Sequence, residues 1–484
     1  MSVASLEVGG SQSDQQGSLE RFAELPGWLV AIVQPTTVRA ALARAIPAFG
    51  ALQQCEVARV RMKKDRRTAL YRLTLAGPDG AQRRLQIQGT LLPPGAPEPP
   101  DAGSELAPGE EGWRRYVPEL RLLLETLPEE AALPALEPLT DPAQAAAILE
   151  RALRALPQYR GLAVQTCAPR VVRQKPGSRC TILYDLTYRD GSAGPTPVVA
   201  KAYKGGKGKN AHAAMRALWE SPLRASGSVA IAEPLGYLPE LNTALQGPVR
   251  EEQMLKDLIR AAMRTGAPDL RAELSGAMRK TAAGIAALHR SGAQYGEPHT
   301  WAEALDDVQD TVGQLGAVFP QLQAAVAPLL ARLEALAEAH PPDPLAPSHG
   351  SFRPAQVLLA GGDVAFIDFD SFCQAEPAFD LALFLSAVKN IGLSEPHEEE
   401  SSEDDDALDP QAREALLEQL DLICEEFLAE YERHAPVSRE RVALWETLEL
   451  LDLVLTCWTK IKPVRLGNTL AMLERHLRAG GLPG

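Results

Sequence analysis

The stretch at 348–370, SHGSFRPAQVLLAGGDVAFIDFD, constrains this chain more than any other. A polar turn, His349-Gly350-Ser351, leads into a short apolar run, Val357-Leu358-Leu359. Gly361-Gly362-Asp363 reads as a tight turn into a second run, Val364 to Ile367. Two apolar runs joined by a glycine pair predict a β-hairpin. Alternate side chains of a strand share a face, so Asp368 and Asp370 are expected on one side and Phe369 on the other. Such a hairpin brings polar residues from its entry and exit to one place, where carboxylates can hold a metal ion beside a reacting hydroxyl. The plainer alternative is a surface hairpin with solvated acids.

The 484 residues, 45% of them hydrophobic, suffice for roughly three domains with ample core. A net charge of −14 argues against a nucleic acid or an anionic membrane as partner, since either needs a basic face. The most apolar helical stretch, near 447–458, carries Glu449 and Asp452 and so does not read as a membrane span. The first residues lack the basic start and apolar run of a signal peptide. The six cysteines form no C-x-x-C and sit in apolar stretches, which predicts buried, reduced thiols. The expected compartment is the cytoplasm.

Taken in order, residues 1–18 are polar and read as a disordered tail. Residues 37–54 have helical apolar spacing, and 55–92 read as three strands. Residues 93–111 are a Pro- and acid-rich linker, and 113–160 read as helical pieces. Residues 168–204 repeat the earlier strands: RVRMKKDRRTALYRLTLAGPDG beside RVVRQKPGSRCTILYDLTYRDG. The repeat predicts a duplicated three-stranded unit in which Gln88 stands where the second copy has Lys201; chance likeness of two amphipathic hairpins is the alternative. A helix is expected over 209–225 and strands over 229–247. Helices follow at 251–265, 269–291, 301–316, 320–339, 377–391, 410–433, 438–459 and 466–479. The acidic stretch 395–406, EPHEEESSEDDD, repels itself and reads as a flexible insertion. GGKGKN at 205–210 lacks the GxxxxGK[ST] pattern and reads as a mobile basic loop.

The second half resembles the aminoglycoside phosphotransferases and choline-kinase-like small-molecule kinases, which share the protein-kinase-like fold. The resemblance rests on HGSFRPAQ at 349–356, IDFD at 367–370 and EPAFDLA at 376–382, in family order and spacing. It covers about 170–484. It implies an α+β, bilobal fold: a mostly β small lobe at 166–248 and a mostly helical large lobe at 249–484. The segment 19–165 would be an N-terminal α/β unit, read as a degenerate copy of the small lobe.

Family positions then carry over residue by residue. Asp368 matches the metal-binding aspartate, and Gln356 stands where the family has a metal-binding asparagine. Lys201 matches the phosphate-binding lysine, with Glu220 as its expected acidic partner. The turn at Gly177-Ser178 falls where a loop covers the phosphates, and the hinge near Gln246 falls where adenine binds. Ser351 stands where the family has its catalytic aspartate. It can hydrogen-bond an acceptor hydroxyl but cannot act as a carboxylate base, a loss of roughly 10²–10⁴-fold. Asp370 is a substitute base or a second metal ligand. His349 is expected to brace the turn, Asp380 to anchor it, and Arg353 to meet an anionic group. His289, late in its helix, is expected to be structural.

Two functions follow. The first is an ATP- and Mg²⁺-dependent phosphotransferase acting on a hydroxyl or amine of a small molecule. The second is a pseudokinase, a nucleotide-binding or scaffold module without transfer, for which a protein partner is expected. Ser351 and Gln356 divide them. The acceptor is not legible.

Overall fold

The computed structural model describes residues 24–479 except 50, 64–65, 77–80, 94, 100–105, 111, 128–132, 134, 176 and 395–408. The polar tail at 1–18 and the acidic stretch at 395–406 therefore lie outside the described residues.

Proline at the first turn, where its missing N–H costs nothing, starts most of the helices. Helix α1 (Pro35–Ala45) buries Val38, Ala41 and Leu42 at helical spacing. It precedes an antiparallel sheet of β1 (Leu52–Lys63), β2 (Arg66–Ala76), β3 (Gln82–Leu91), β4 (Arg114–Val117) and β5 (Leu122–Thr126), in the order β1-β2-β3-β5-β4. The helices expected across 113–126 are instead β4 and β5, joined by a turn at Pro118–Leu120 with Arg121 left-handed. The leucine run there scores well for helix, but Leu122 and Leu124 alternate into the core, so the sheet overrides local propensity.

The pattern then recurs. Helix α2 (Pro142–Arg154) precedes β6 (Val164–Lys175), β7 (Arg179–Tyr188), β8 (Val198–Tyr203), β10 (Pro234–Leu238) and β11 (Thr243–Gln246). Their order, β6-β7-β8-β11-β10, is that of the first sheet. The β10–β11 turn repeats Pro-Glu-Leu, with Asn242 in the left-handed position of Arg121. Tyr71 donates to the Ile32 carbonyl at 2.8 Å, and its counterpart Tyr184 donates to the Leu139 carbonyl at 2.9 Å. The repeated unit thus includes the leading helix and five strands, more than the three expected. Register also corrects one correspondence. Lys201 lies opposite Thr181 and Ala244, and the equivalent position, opposite Thr68 and Leu123, is Thr90 rather than Gln88.

The cores divide differently from the expected boundary at 165. Leu139, Ala145, Leu149 and Leu153, before and within α2, pack with Tyr184, Ala200 and Leu245 in a separate small-lobe core. The first sheet shares its core with the large lobe instead. Trp28 stacks on Phe319 at 6.0 Å, and Phe319 meets Trp458 edge-on at 5.1 Å.

After the small-lobe helix α3 (Lys207–Glu220), the large lobe is built from α4 (Leu255–Thr265), α5 (Pro268–His289), α6 (Trp301–Gly316), α7 (Pro320–Ala339), α8 (Pro377–Leu393), α9 (Pro410–His434), α10 (Arg439–Lys460) and α11 (Pro463–Arg478). The central hairpin is β15 (Val357–Ala360) and β16 (Asp363–Phe366), flanked by β12 (Gln253–Met254) and β9 (Ala230–Ile231), and β13 (Pro298–His299), β14 (Ala346–Ser348) and β17 (Cys373–Ala375) form a further small sheet. Gly361 and Gly362 have φ of 57° and 81°, the double positive φ that a two-residue hairpin turn demands. The basic stretch at 205–210 is not a loop: Lys207 opens α3. Gly208 is buried there, where a β-carbon would come 2.8 Å from the Tyr203 ring.

Candidate active site

Strand β8 alternates. Val198, Ala200 and Ala202 face the small-lobe core, and Lys201 emerges on the opposite face. Its ammonium crosses to the large lobe and lies 3.1 Å from Asp368 Oδ1. Helix α3 does not supply the expected acid. Its buried face is Ala211, Ala214, Met215 and Leu218, so Glu220 points away, is largely exposed, and pairs with Arg216 at 2.9 Å. Asp368 is the acid that Lys201 meets.

The two carboxylates are not on a strand, as expected, because β16 ends at Phe366. Asp368 takes a left-handed conformation, φ 74° and ψ 53°, followed by a single 3-10 turn over Phe369–Ser371. Left-handed backbone is costly for a residue with a β-carbon, and such strain concentrates at functional sites. The turn buries Phe369 while both carboxyl groups face the cleft between the lobes. Asp370 Oδ1 accepts from Tyr203 Oη at 2.8 Å, and its backbone carbonyl accepts from Asn210 Nδ2 at 3.0 Å. Tyr295 in turn donates to Asn210 Oδ1 at 3.0 Å.

The pair divides its charge. Burial works against the Asp368 carboxylate, but Lys201, aided by a hydrogen bond from Asp370 and by Arg179, holds it below the usual carboxylate range. Burial and the neighbouring Asp368 charge push Asp370 up. Asp368 is therefore the charged member, and Asp370 the one that protonates first. Burial and Asp370 also raise Tyr203, which stays a hydrogen-bond donor.

The entry turn is held from beneath. Asp380, buried in the first turn of α8, accepts from the backbone N–H of His349 at 2.6 Å and of Gly350 at 2.9 Å. The same carboxylate meets His289 Nε2 at 3.2 Å, and His289 Nδ1 meets Tyr431 Oη at 2.8 Å. Gly350 is required at φ 76°, where a β-carbon would collide with the Ser371 carbonyl. His349 Nε2 donates to the Ile367 carbonyl at 3.0 Å, which fixes the tautomer and leaves Nδ1 as an acceptor. Burial lowers the pKa of His349, keeping it neutral. Ser351 Oγ lies 3.4 Å from that Nδ1, and Gln356 Nε2 donates to Ser351 Oγ at 3.3 Å. The other end of the amide, Gln356 Oε1, is buried with no hydrogen-bond partner. The Gln356 backbone carbonyl accepts from the Ile367 N–H, which sets this residue beside Asp368.

Of the remaining expected residues, Gly177 is left-handed at the β6–β7 turn, where the Ser178 N–H bonds the Lys175 carbonyl at 3.0 Å. Gln246 ends β11 and is buried at the crossing between lobes. Arg353 lines a cleft of about 1230 Å³ that opens on Ser351. Its walls are Asp307 and Asp310 of α6 and Glu449 and Asp452 of α10, and Val57–Met62 of β1 roof it. These wall residues, with Tyr203, Asn210, Tyr295 and Arg179, went unassigned in the sequence. For Glu449 and Asp452 a signal existed: two acids in the most apolar helical stretch.

No curated protein sequence matches the chain. Among solved structures, it is similar to a glucosamine kinase at 16% identity, with 94% of this chain and 98% of that chain covered and a TM-score of 0.48. A choline/ethanolamine kinase family protein from Mesorhizobium loti gives 15% identity, 70% and 95% coverage, and a TM-score of 0.42. A choline kinase from Cryptosporidium parvum Iowa II gives 10% identity, 70% and 98% coverage, and a TM-score of 0.45. A family model described as the phosphotransferase enzyme family matches residues 183–431, a span that holds Lys201, His349, Ser351, Gln356, Asp368 and Asp380. With just over half of its length so matched, and the lysine and aspartate of that span joined across the cleft, the chain belongs to the phosphotransferase enzyme family.

Proposed function

We propose that the protein transfers the γ-phosphoryl group of ATP to a hydroxyl or amine of a small molecule, with Mg²⁺. The observation that carries this reading is the 3.1 Å pairing of Lys201 with Asp368, from opposite lobes, beside the orphaned Gln356 Oε1. A buried acceptor without a partner is costly unless something binds it. Gln356 and Asp368 supply hard oxygen donors, the kind Mg²⁺ takes, and Mg²⁺ commonly keeps its remaining positions for phosphates and water. When bound, the ion would neutralise charge on the transferring phosphates. Among the described residues no group of three or more His, Cys, Asp and Glu forms a cage of its own.

The chain's own residues do the rest by positioning. Lys201 is placed to meet the phosphates once nucleotide separates it from Asp368. Ser351 Oγ has one lone pair occupied by Gln356 Nε2 and its proton directed at His349 Nδ1. Its second lone pair is left to receive a hydrogen bond from the acceptor and orient it. A loose transition state asks little of a base, so orientation and charge neutralisation carry most of the rate. A second reading, nucleotide binding without transfer, is favoured by the absence of a carboxylate at Ser351 and of an acid from α3.

Thermal melting with ATP or ADP, with and without Mg²⁺, tests nucleotide binding: a bound nucleotide raises the melting temperature by mass action. Asp368→Ala is expected to abolish the Mg²⁺-dependent part of the rise, and an undiminished rise would place the metal elsewhere. A ³¹P transfer screen over alcohols, amines and sugars then separates the two readings. Ser351→Asp should raise the transfer rate if this position is the vacated base site.

A further inference from the structure

A second cavity, of about 650 Å³, lies between the N-terminal unit and the large lobe. Its floor is α8, and its sides are α4, α10, the start of α11 and the segment Val30 to Thr36. It adjoins the cleft above Ser351, with Arg353 and Glu449 forming part of both walls.

Its polar lining is lopsided. Lys256, Arg260, Arg353, Lys462 and Arg465 face it, against one carboxyl group, Glu449. Lys256 and Arg260 are four residues apart on α4 and so share a face. Burial and the neighbouring Asp452 push Glu449 up to about 8, although Arg353 opposes this, so at neutral pH it is mostly uncharged and does not cancel the cations. Two helices begin here, α1 at Pro35 and α11 at Pro463. Neither has a side-chain cap or an acid in its first turn, so the positive end of each dipole is unanswered.

Independent evidence for a ligand comes from groups left unsatisfied at the wall. Ser386 lines the cavity from α8, is only 2% exposed, and its Oγ has no hydrogen-bond partner. A buried helical serine usually bonds back to its own helix. Arg260 Nε is likewise buried without a partner, and its Nη1 reaches Asp257 only at 3.7 Å. Among the described residues, the Arg465 guanidinium bonds a neutral group, donating from Nε to Asn390 Oδ1 at 3.2 Å.

We infer that this cavity is a binding site for a phosphate group, free or carried by a small metabolite, distinct from the nucleotide site. Arg260, Arg465 and Lys462 face its charge, and Ser386 Oγ donates to it. A multiply charged anion fits this lining better than a single carboxylate. The volume exceeds what inorganic phosphate needs, and Val30, Leu383 and Leu453 offer an apolar wall for a carbon body. Through Arg353, occupancy would reach the turn that carries Ser351.

The test uses the full chain and inorganic phosphate, with chloride exchanged at constant ionic strength and acetate as the singly charged control. Phosphate should raise the melting temperature in a saturable way, both in the wild type and in Lys201→Met, where the nucleotide site has lost its cation. Glycerol phosphate should match or exceed it, distinguishing an ester-bearing ligand from the free ion. Arg260→Gln with Arg465→Gln should weaken phosphate by about tenfold or more, the loss of a charge-assisted hydrogen bond. Lys462, exposed at the rim, gives a variant, Lys462→Gln, that keeps the fold if the double variant does not, and it too should weaken binding. The inference is overturned if acetate stabilises as well as phosphate, if the effect disappears in Lys201→Met, or if it survives intact in Lys462→Gln and the folded double variant.

Discussion

Glu449 lies at the junction of the cleft above Ser351 and the second cavity, and its titration links stability to pH. Its pKa, pushed up to about 8 chiefly by burial and then by Asp452, lies above that of the unfolded chain. Between the ordinary glutamate range and about 8, the folded protein thus holds a proton that the unfolded chain has released. Stability from this group is full at acid pH and is lost as pH rises through that window. Glu449→Gln should therefore flatten the fall in melting temperature from about pH 5 to 8, read by calorimetry across pH. An unchanged slope would mean that Arg353 keeps the carboxylate ionised. At this scale the sequence was informative where chemistry repeats a pattern. His349, Asp368 and Asp380 follow from spacing, and Asp380 does hold the turn. Glu220 was misplaced because spacing along a helix does not say which face will turn inward; Ala211, Ala214, Met215 and Leu218 take that face.

Two buried ion pairs hold the helices beneath the site. Arg441 of α10 meets Glu376, the residue before α8, with Nε 2.8 Å from Oε2, and both are nearly inaccessible. Lys389 of α8 meets Glu446 of α10 at 2.8 Å. Removing one partner strands a buried charge, so Glu376→Ala should cost about 3–5 kcal/mol in denaturant unfolding. A loss below about 1 kcal/mol would show that water enters and solvates Arg441. The helices of the large lobe were legible to within a few residues, because apolar periodicity and first-turn prolines coincide along them. Strands β4 and β5 were not. The second copy, YLPELNTALQ at 237–246, carries the same Tyr-x-Pro-Glu-Leu as 116–120, yet the shared turn shows only once both hairpins are set side by side.

At the scale of the whole molecule, one repeated unit plays two parts. The second copy keeps its own core and carries Lys201, while the first joins its core to the large lobe and roofs the cleft above Ser351. Phe319, between Trp28 and Trp458, is the joint. Phe319→Ala should cost about 3–5 kcal/mol. Hydrogen exchange should then quicken in β1–β3 and α10 while β7 and β8 keep their protection, and an equal loss in β7 and β8 would mean that the two cores open together. The cleft above Ser351 was not legible in the sequence for the same reason: β1 and α10 lie at opposite ends of the chain and meet only in the fold.

The roof of β1 has a consequence for fidelity. In a kinase-like reaction every acceptor competes with water, which is always present and always nucleophilic. Val57, Val60 and Met62 line the cleft that opens on Ser351, with Arg59 and Arg61 of the same strand among them. If this strand limits water beside the transferring phosphate, little nucleotide is spent on hydrolysis while the acceptor is absent. The copy without the lysine would, in that case, be what keeps the other copy's nucleotide from being wasted.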